Sequence, residues 1–323
     1  MTVSFVWFDL GYTLVYMQRE STYQQSLNHF GIDVPLADIE REFHLTDKLF
    51  MREYPGFFLQ PREVFMPAYL GLVNYHLGVS ENVCELNTHW EAIKSKIDDY
   101  WLPYKGIRKT LDALKQKSIG LGVISNWDCT ARDILGAAGL IDYFDQIIIS
   151  CEVDCNKPDP AIFNLALEKA AVSARDCIYI GDNYYDDALG SQKVGMPALI
   201  INRFGSLGIE EIKDCPVIGD ISEIFNFLAE YALKRSHELA RIFKKLFFHY
   251  TNAAPIISTW PGAVSILDST PASLKAQRSQ RKILFCPPGR RRADKKAQAL
   301  RAKLPANAQA CCCKLLTFLP RNG

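Results

Sequence analysis

The chain has 323 residues, of which 48% are hydrophobic and 23% charged, with a net charge of +1. These are values of an ordinary soluble globular chain, long enough for one large domain or two smaller ones and for a core that needs no disulfide staples. No stretch reaches the roughly 18 apolar residues of a membrane span. The near-neutral total hides an asymmetry. After Glu238 there are 16 Lys and Arg against only Asp268 and Asp294, a net charge of +14 that leaves −13 for residues 1–238. Parts of such opposite sign read as separate compositional units.

Residues 3–9 form a short apolar, β-branched and aromatic run ending in Asp9, the pattern of a buried strand. Residues 21–30 read as a helix stopped by Gly31. Helical patterns follow at about 36–53, 62–77 and 81–100, with Tyr54-Pro55-Gly56 breaking the first from the second. The rhythm then alternates. Residues 106–117, 129–140, 160–171 and 186–194 read as helices, and residues 121–125, 146–150, 177–181 and 198–201 as strands. Strands separated by helices of this length predict an α/β fold with a doubly wound parallel sheet, helices on both faces and a ligand crevice beyond the carboxyl ends of the strands. A last helix is expected over 221–237, extended by 241–250. Residues 251–323, rich in Pro, Ala, Arg and Lys, read as mostly disordered.

This gives a core domain over 1–16 and 103–236, a helical insertion over 17–102, and a basic extension over 237–323. The ten cysteines form no disulfide framework, and Cys129, Cys151 and Cys177 sit in or beside segments that read as buried. No basic segment precedes the first apolar run. The expectation is a cytoplasmic protein.

Chemistry gathers at the strand ends. The first ends in Asp9, with Thr13 four residues on, and the second in Ser125-Asn126. Lys157-Pro158-Asp159-Pro160 follows the third, and the fourth ends in Gly181-Asp182, with Asp186 and Asp187 behind it. An Asp after a strand is by itself commonly a turn or helix cap. Together, two acidic strand ends, a hydroxyl and a lysine converge on one crevice. Carboxylates suit a hard cation such as Mg²⁺, a lysine and a hydroxyl hold phosphate oxygens, and a carboxylate beside the cation can attack phosphorus.

Four stretches, WFDLGYTL, GVISNWD, NKPDPAIF and YIGDNYYDDALGSQKVGM, in this order and at these places resemble the haloacid dehalogenase superfamily. The match is to its subfamily I, with a helical C1-type cap inserted after the first strand of a Rossmann-like core, and spans about residues 3–235. The resemblance implies Asp9 as nucleophile, Thr13 as support for the loop after it, and Ser125 with the Asn126 backbone as phosphate binders. It implies Lys157 as the neutralising cation and Mg²⁺ held by Asp9, the Gly11 carbonyl, Asp182 and Asp187, with Asp186 as runner-up. The implied activity is a phosphatase for a small phosphorylated metabolite. No nucleic acid is expected at the core.

Gly11 departs from the pattern. The family's phosphatases usually carry there a second Asp that protonates the leaving oxygen and activates water, help worth roughly 10²–10⁴-fold. Two other readings therefore stand beside the phosphatase: a non-catalytic or weakly active binding module, and a metal-independent dehalogenase, against which Asp182 and Asp187 argue. Tyr12 is either a substitute acid or a packed loop aromatic. Tyr54–Phe58, Trp101, Tyr184 and Tyr185 either line the substrate pocket or pack. Cys151 and Cys155 lack a second pair at zinc spacing, and the basic runs at 241–250 and 290–296 resemble membrane or nucleic-acid patches.

Overall fold

The computed structural model describes residues 3–97, 100–234 and 241. Its centre is a six-stranded sheet of β1 (Phe5–Phe8), β4 (Gly120–Ser125), β5 (Gln146–Ile149), β6 (Cys177–Gly181), β7 (Ala198–Ile201) and β8 (Val217–Ile218). The strand order is β5-β4-β1-β6-β7-β8, and every neighbouring pair is parallel. Strands buried on both faces lose the alternation of a half-exposed strand, and all four residues of β1 are buried. Val6 and Phe8 join the core on one face with α5 (Ile107–Gln116) and α6 (Ala131–Ala137). Phe5 and Trp7 join the core on the other face with α8 (Pro160–Ala170). The glycines of β4 make room for these rings: a Cβ on Gly122 would stand 2.3 Å from the Trp7 ring, and one on Gly120 2.4 Å from Phe5.

After β1 the chain makes β2 (Val15–Met17) and leaves the core. It runs through α1 (Arg19–His29), α2 (Leu36–Glu53), α3 (Arg62–Leu77) and α4 (Val83–Lys94), and returns through β3 (Trp101–Pro103), antiparallel to β2. The four helices bury a hydrophobic cluster of their own around Tyr23, Phe43, Leu70 and Trp90. Pro35 and Pro61 stand immediately before α2 and α3, and the Asn82 side chain caps α4.

Several boundaries differ from expectation. The helix expected over 81–100 ends at Lys94, and residues 101–103 beyond it pair with β2. The helix expected over 129–140 shrinks to α6, with Gly139 at positive φ behind it. The helix expected over 186–194 is a π-turn, Tyr184–Ala188, followed by α9 (Leu189–Lys193). Strand β8 is too short to leave a periodic signal. A 3₁₀ turn, Ile221–Glu223, opens residues 221–234, closed by a capping box from Asp220 and Glu223. Residues 237–323, apart from Arg241, lie outside the described residues, as do the basic run at 290–296 and the rest of 241–250. Cys177 is buried as expected. Cys129 and Cys151 are instead exposed, their sulfurs 3.6 Å apart.

The close approach at Gly122 yields a stability prediction. Gly122→Ala overpacks the Trp7 side of the sheet and should cost about 1–3 kcal/mol in urea unfolding with an unchanged slope; an unaltered midpoint would mean that Trp7 moves aside freely.

Candidate active site

The sheet order places the carboxyl ends of β1, β4 and β6 side by side, so the crevice forms where the chain reverses direction across the sheet. Asp9 extends β1, its backbone N–H donating to the Ile180 carbonyl at 2.8 Å. Lys157 arrives from the segment between α7 (Ser150–Val153) and α8. Its ammonium lies 2.7 Å from Asp9 Oδ1 and 2.6 Å from Asp187 Oδ1, and donates to the Tyr179 hydroxyl at 3.0 Å. The Asn126 side chain fixes the backbone behind it: Oδ1 accepts from Lys157 N at 2.7 Å, and Nδ2 donates to Lys157 O at 2.9 Å. The sequence pointed to the Asn126 backbone; in the structure it is the side-chain amide that holds Lys157.

Asp187 is fully buried and reaches the cluster because Gly181 has no side chain. A Cβ there would stand 2.0 Å from Asp187 Oδ2. That oxygen accepts from Asn183 N at 2.9 Å, while the Asn183 side chain caps the following turn. Oxygens of Asp9, Asp182 and Asp187 lie within 4.8 Å of one another. Asp186 stays outside this trio, its Oδ2 accepting from Asn183 Nδ2 at 2.9 Å. Ser125 lines the same cavity. Thr13 is fully buried, but its hydroxyl has no hydrogen-bond partner. The loop after Asp9 is held instead by Arg203, which donates to the carbonyls of Tyr12 at 2.5 Å and Thr13 at 3.2 Å.

The electrostatics follow from burial. Desolvation pushes the Asp182 carboxyl up, with Lys48 opposing; it pushes Asp186 up to about 6 and Asp187 up to about 7, with Lys157 opposing in both. Desolvation would lower Lys157, but Asp187 and Asp9 outweigh it and hold the ammonium well above its usual range. With all groups charged, Asp9, Asp182, Asp186 and Asp187 carry four negative charges, and among the described residues Lys157 and Lys48 form the ion pairs with them, leaving −2 in these contacts. Buried oxygen donors with that deficit fit a hard divalent cation such as Mg²⁺.

Sequence reasoning missed Lys48, Tyr179, Arg203 and Trp127. Lys48 reaches from α2 to the Asp182 carbonyl at 2.5 Å and Oδ2 at 3.0 Å. A usable signal was Asp47, an acid on the buried stripe Ile39–Phe43–Asp47–Phe50, where helical spacing calls for an apolar residue. It pairs with buried Arg19 and accepts from the Tyr69 hydroxyl at 2.7 Å. Trp127 covers Gly11: a Cβ on Gly11 would stand 2.8 Å from the indole Cζ3. Tyr12 is a packed loop aromatic, its ring 4.6 Å beneath the Arg19 guanidinium and its phenol held well above its usual pKa by burial. Tyr54–Phe58 and Trp101 lie on the cavity wall. Tyr184 and Tyr185 instead hydrogen-bond Asp214 and Glu211.

The family model "Haloacid dehalogenase-like hydrolase" matches residues 21–201. The chain belongs to this family. The haloacid dehalogenase-like match includes Ser125, Lys157, Asp182 and Asp187 and begins after Asp9. The chain is 39% identical over 101 residues to haloacid dehalogenase-like hydrolase domain-containing protein 3 of Mus musculus, covering 31% of this chain and 40% of that protein. It is 27% identical over 213 residues to the protein of the same name in Danio rerio, covering 62% of this chain and 86% of that protein. A glyceraldehyde 3-phosphate phosphatase of Methanothermobacter thermautotrophicus is 30% identical over 137 residues, covering 39% and 58%. The stretch aligned with the mouse protein is thus well under half of that relative's length. Among the described residues, no helix is long and apolar enough to cross a membrane.

The raised Asp187 pKa sets a pH dependence. Its ordinary value is about 3.9, so without metal the folded state holds this proton more tightly than the unfolded state. Stability from this group is complete below pH ~4 and is lost as pH rises through about 7. A divalent cation held by these acids would reverse that loss. The rise in melting temperature on adding MgCl₂ should therefore be larger at pH 8 than at pH 6; equal rises would place the ionisation elsewhere.

Proposed function

We propose that the protein is a Mg²⁺-dependent phosphatase acting on a small phosphorylated metabolite through an aspartyl-phosphate on Asp9. The observation that carries this reading is the gathering of Asp9, Asp182 and Asp187 oxygens within 4.8 Å, with the Lys157 ammonium on two of them. Asp9, Asp182, Asp187 and the Gly11 carbonyl would hold Mg²⁺, which when bound neutralises phosphoryl charge and offsets the acids. Asp9 attacks phosphorus, and the bond from phosphorus to the leaving oxygen breaks. Lys157 neutralises charge on Asp9 and the phosphoryl oxygens, while Ser125 and the Asn126 backbone hold those oxygens. Water then displaces phosphate from Asp9 and restores the carboxylate. The insertion of α1–α4, proposed as a cap domain over residues 17–102, covers the site and selects the substrate. Similarity to a glyceraldehyde 3-phosphate phosphatase supports the same reaction class.

Gly11 supplies no proton to the leaving oxygen. Solvent water does so, which slows turnover of every substrate that leaves as an alkoxide. The Trp127 ring over Gly11 favours a second reading, a module that binds phosphate and Mg²⁺ without turnover. A dehalogenase needs no metal cluster, so the retained acids count against it.

Asp9→Asn should abolish Mg²⁺-dependent hydrolysis of p-nitrophenyl phosphate, and unchanged activity would exclude this mechanism. Wild-type protein that binds phosphate and Mg²⁺ but turns over no substrate would establish the binding module. A second test concerns the acid. Gly11→Asp alone should give no gain, because the indole stands in the way. With Trp127→Ala added, hydrolysis of poor leaving groups should rise about 10-fold or more; a gain from Gly11→Asp alone would show that Trp127 yields.

A further inference from the structure

The cavity in front of Asp9 is about 880 Å³, which puts it among pockets that enclose a whole organic ligand. Aromatic rings line it beside the nucleophile. Trp127 covers Gly11, and Trp101 meets Trp127 edge-on at 4.9 Å. Rings from the insertion form the far wall: Phe50 stacks on Phe57 at 3.9 Å, and Phe58 meets Phe57 at 5.4 Å. Tyr54 and Phe58 are 56% and 37% exposed. Contiguous apolar surface left open in this way marks a binding site.

Charge narrows the choice. Among the described residues, each cation on this wall already has a carboxylate. Arg19 pairs with Asp47 and Glu20, Arg62 with Glu91 at 2.7 Å, and Lys157 with Asp9 and Asp187. A second carboxylate or phosphate on the substrate would enter this site unpartnered, at a desolvation cost. A flat ring finds faces to stack on.

We infer that the substrate is a phosphate monoester whose organic part carries an uncharged flat ring. This rests on the phosphatase reading and names its substrate class. A nucleobase and a carbocyclic ring share that chemistry.

The test compares kcat/KM, in MgCl₂, for benzyl phosphate, uridine 5′-monophosphate, glycerol 1-phosphate and 2-phosphoglycolate. All leave as aliphatic alkoxides, so leaving-group chemistry does not decide the order. The better ring substrate should exceed both others by about 10-fold or more, the scale of one stacked ring. Tyr54→Ala combined with Phe58→Ala, both at partly exposed sites, should bring that ratio toward one through KM. The ranking of uridine 5′-monophosphate against benzyl phosphate identifies the ring. Equal values across the panel, or a preference for phosphoglycolate, with all turnover lost in Asp9→Asn, would overturn the ring inference and leave the phosphatase standing. No hydrolysis of any monoester by the wild-type protein would overturn both.

Discussion

The Lys157 ammonium is the contact on which the site depends. It is nearly buried and lies within 2.7 Å of an acid from β1 and an acid from the turn after β6. A buried ion pair is weak evidence for stability, because desolvation consumes much of the Coulombic gain. Its partners here are too many to dispense with it. Removing the ammonium would leave three buried carboxylates facing one another, at a cost on the scale of about 3–5 kcal/mol. The sheet makes the arrangement possible. Parallel strands roughly 4.8 Å apart bring Asp9, Ser125 and Asp182 to one edge although more than a hundred residues separate the first two. Asn126 then holds the Lys157 backbone from β4, so the third motif is tied to the second through the main chain and to the first and fourth through charge.

Gly11 and Trp127 express one packing fact. Read along the chain, Gly11 is a missing carboxylate. In the fold, the space that a side chain at position 11 would need is filled by the indole of Trp127. Any side chain at position 11 contends with that ring. The exchange puts an aromatic face where a carboxylate would otherwise stand two residues beyond Asp9.

The fold and the motif residues were legible because they write strong local signals. A run such as residues 3–9 can only be a doubly buried strand in this context, and an acid at its end belongs to the crevice. The interior alternation of Gly120 and Gly122 is explained only by the rings of Phe5 and Trp7 on the neighbouring strand, a tertiary contact that no window along the chain contains. Helix ends failed where pairing or capping overrode propensity. The helix expected over 81–100 stops at Lys94, and Asn183 opens a π-turn where a regular helix was expected. Residues at strand ends were legible as a cluster. Those that support it from a distance were not: Arg203 holds the loop after Asp9 by its carbonyls, and Tyr179 sits mid-strand with its hydroxyl 2.7 Å from the Ile124 carbonyl.

Lys48 shows why the helical insertion cannot be treated as an independent cover. Its ammonium supplies one of the two positive charges facing four carboxylates, and without metal it is the charge that opposes the rise in the Asp182 pKa. Two further residues place the same helix on the core. His44 hydrogen-bonds the Leu207 carbonyl at 2.9 Å and stacks on Phe204 at 4.4 Å, while Arg52 lies 3.6 Å from Glu211. The turns of α2 that carry Lys48 are thus anchored on the loops after β7, beside the strand that ends in Asp182. Any displacement of α2 from the core withdraws a charge from the acidic cluster, so the position of the insertion and the charge of the cluster are set by a common Coulombic balance.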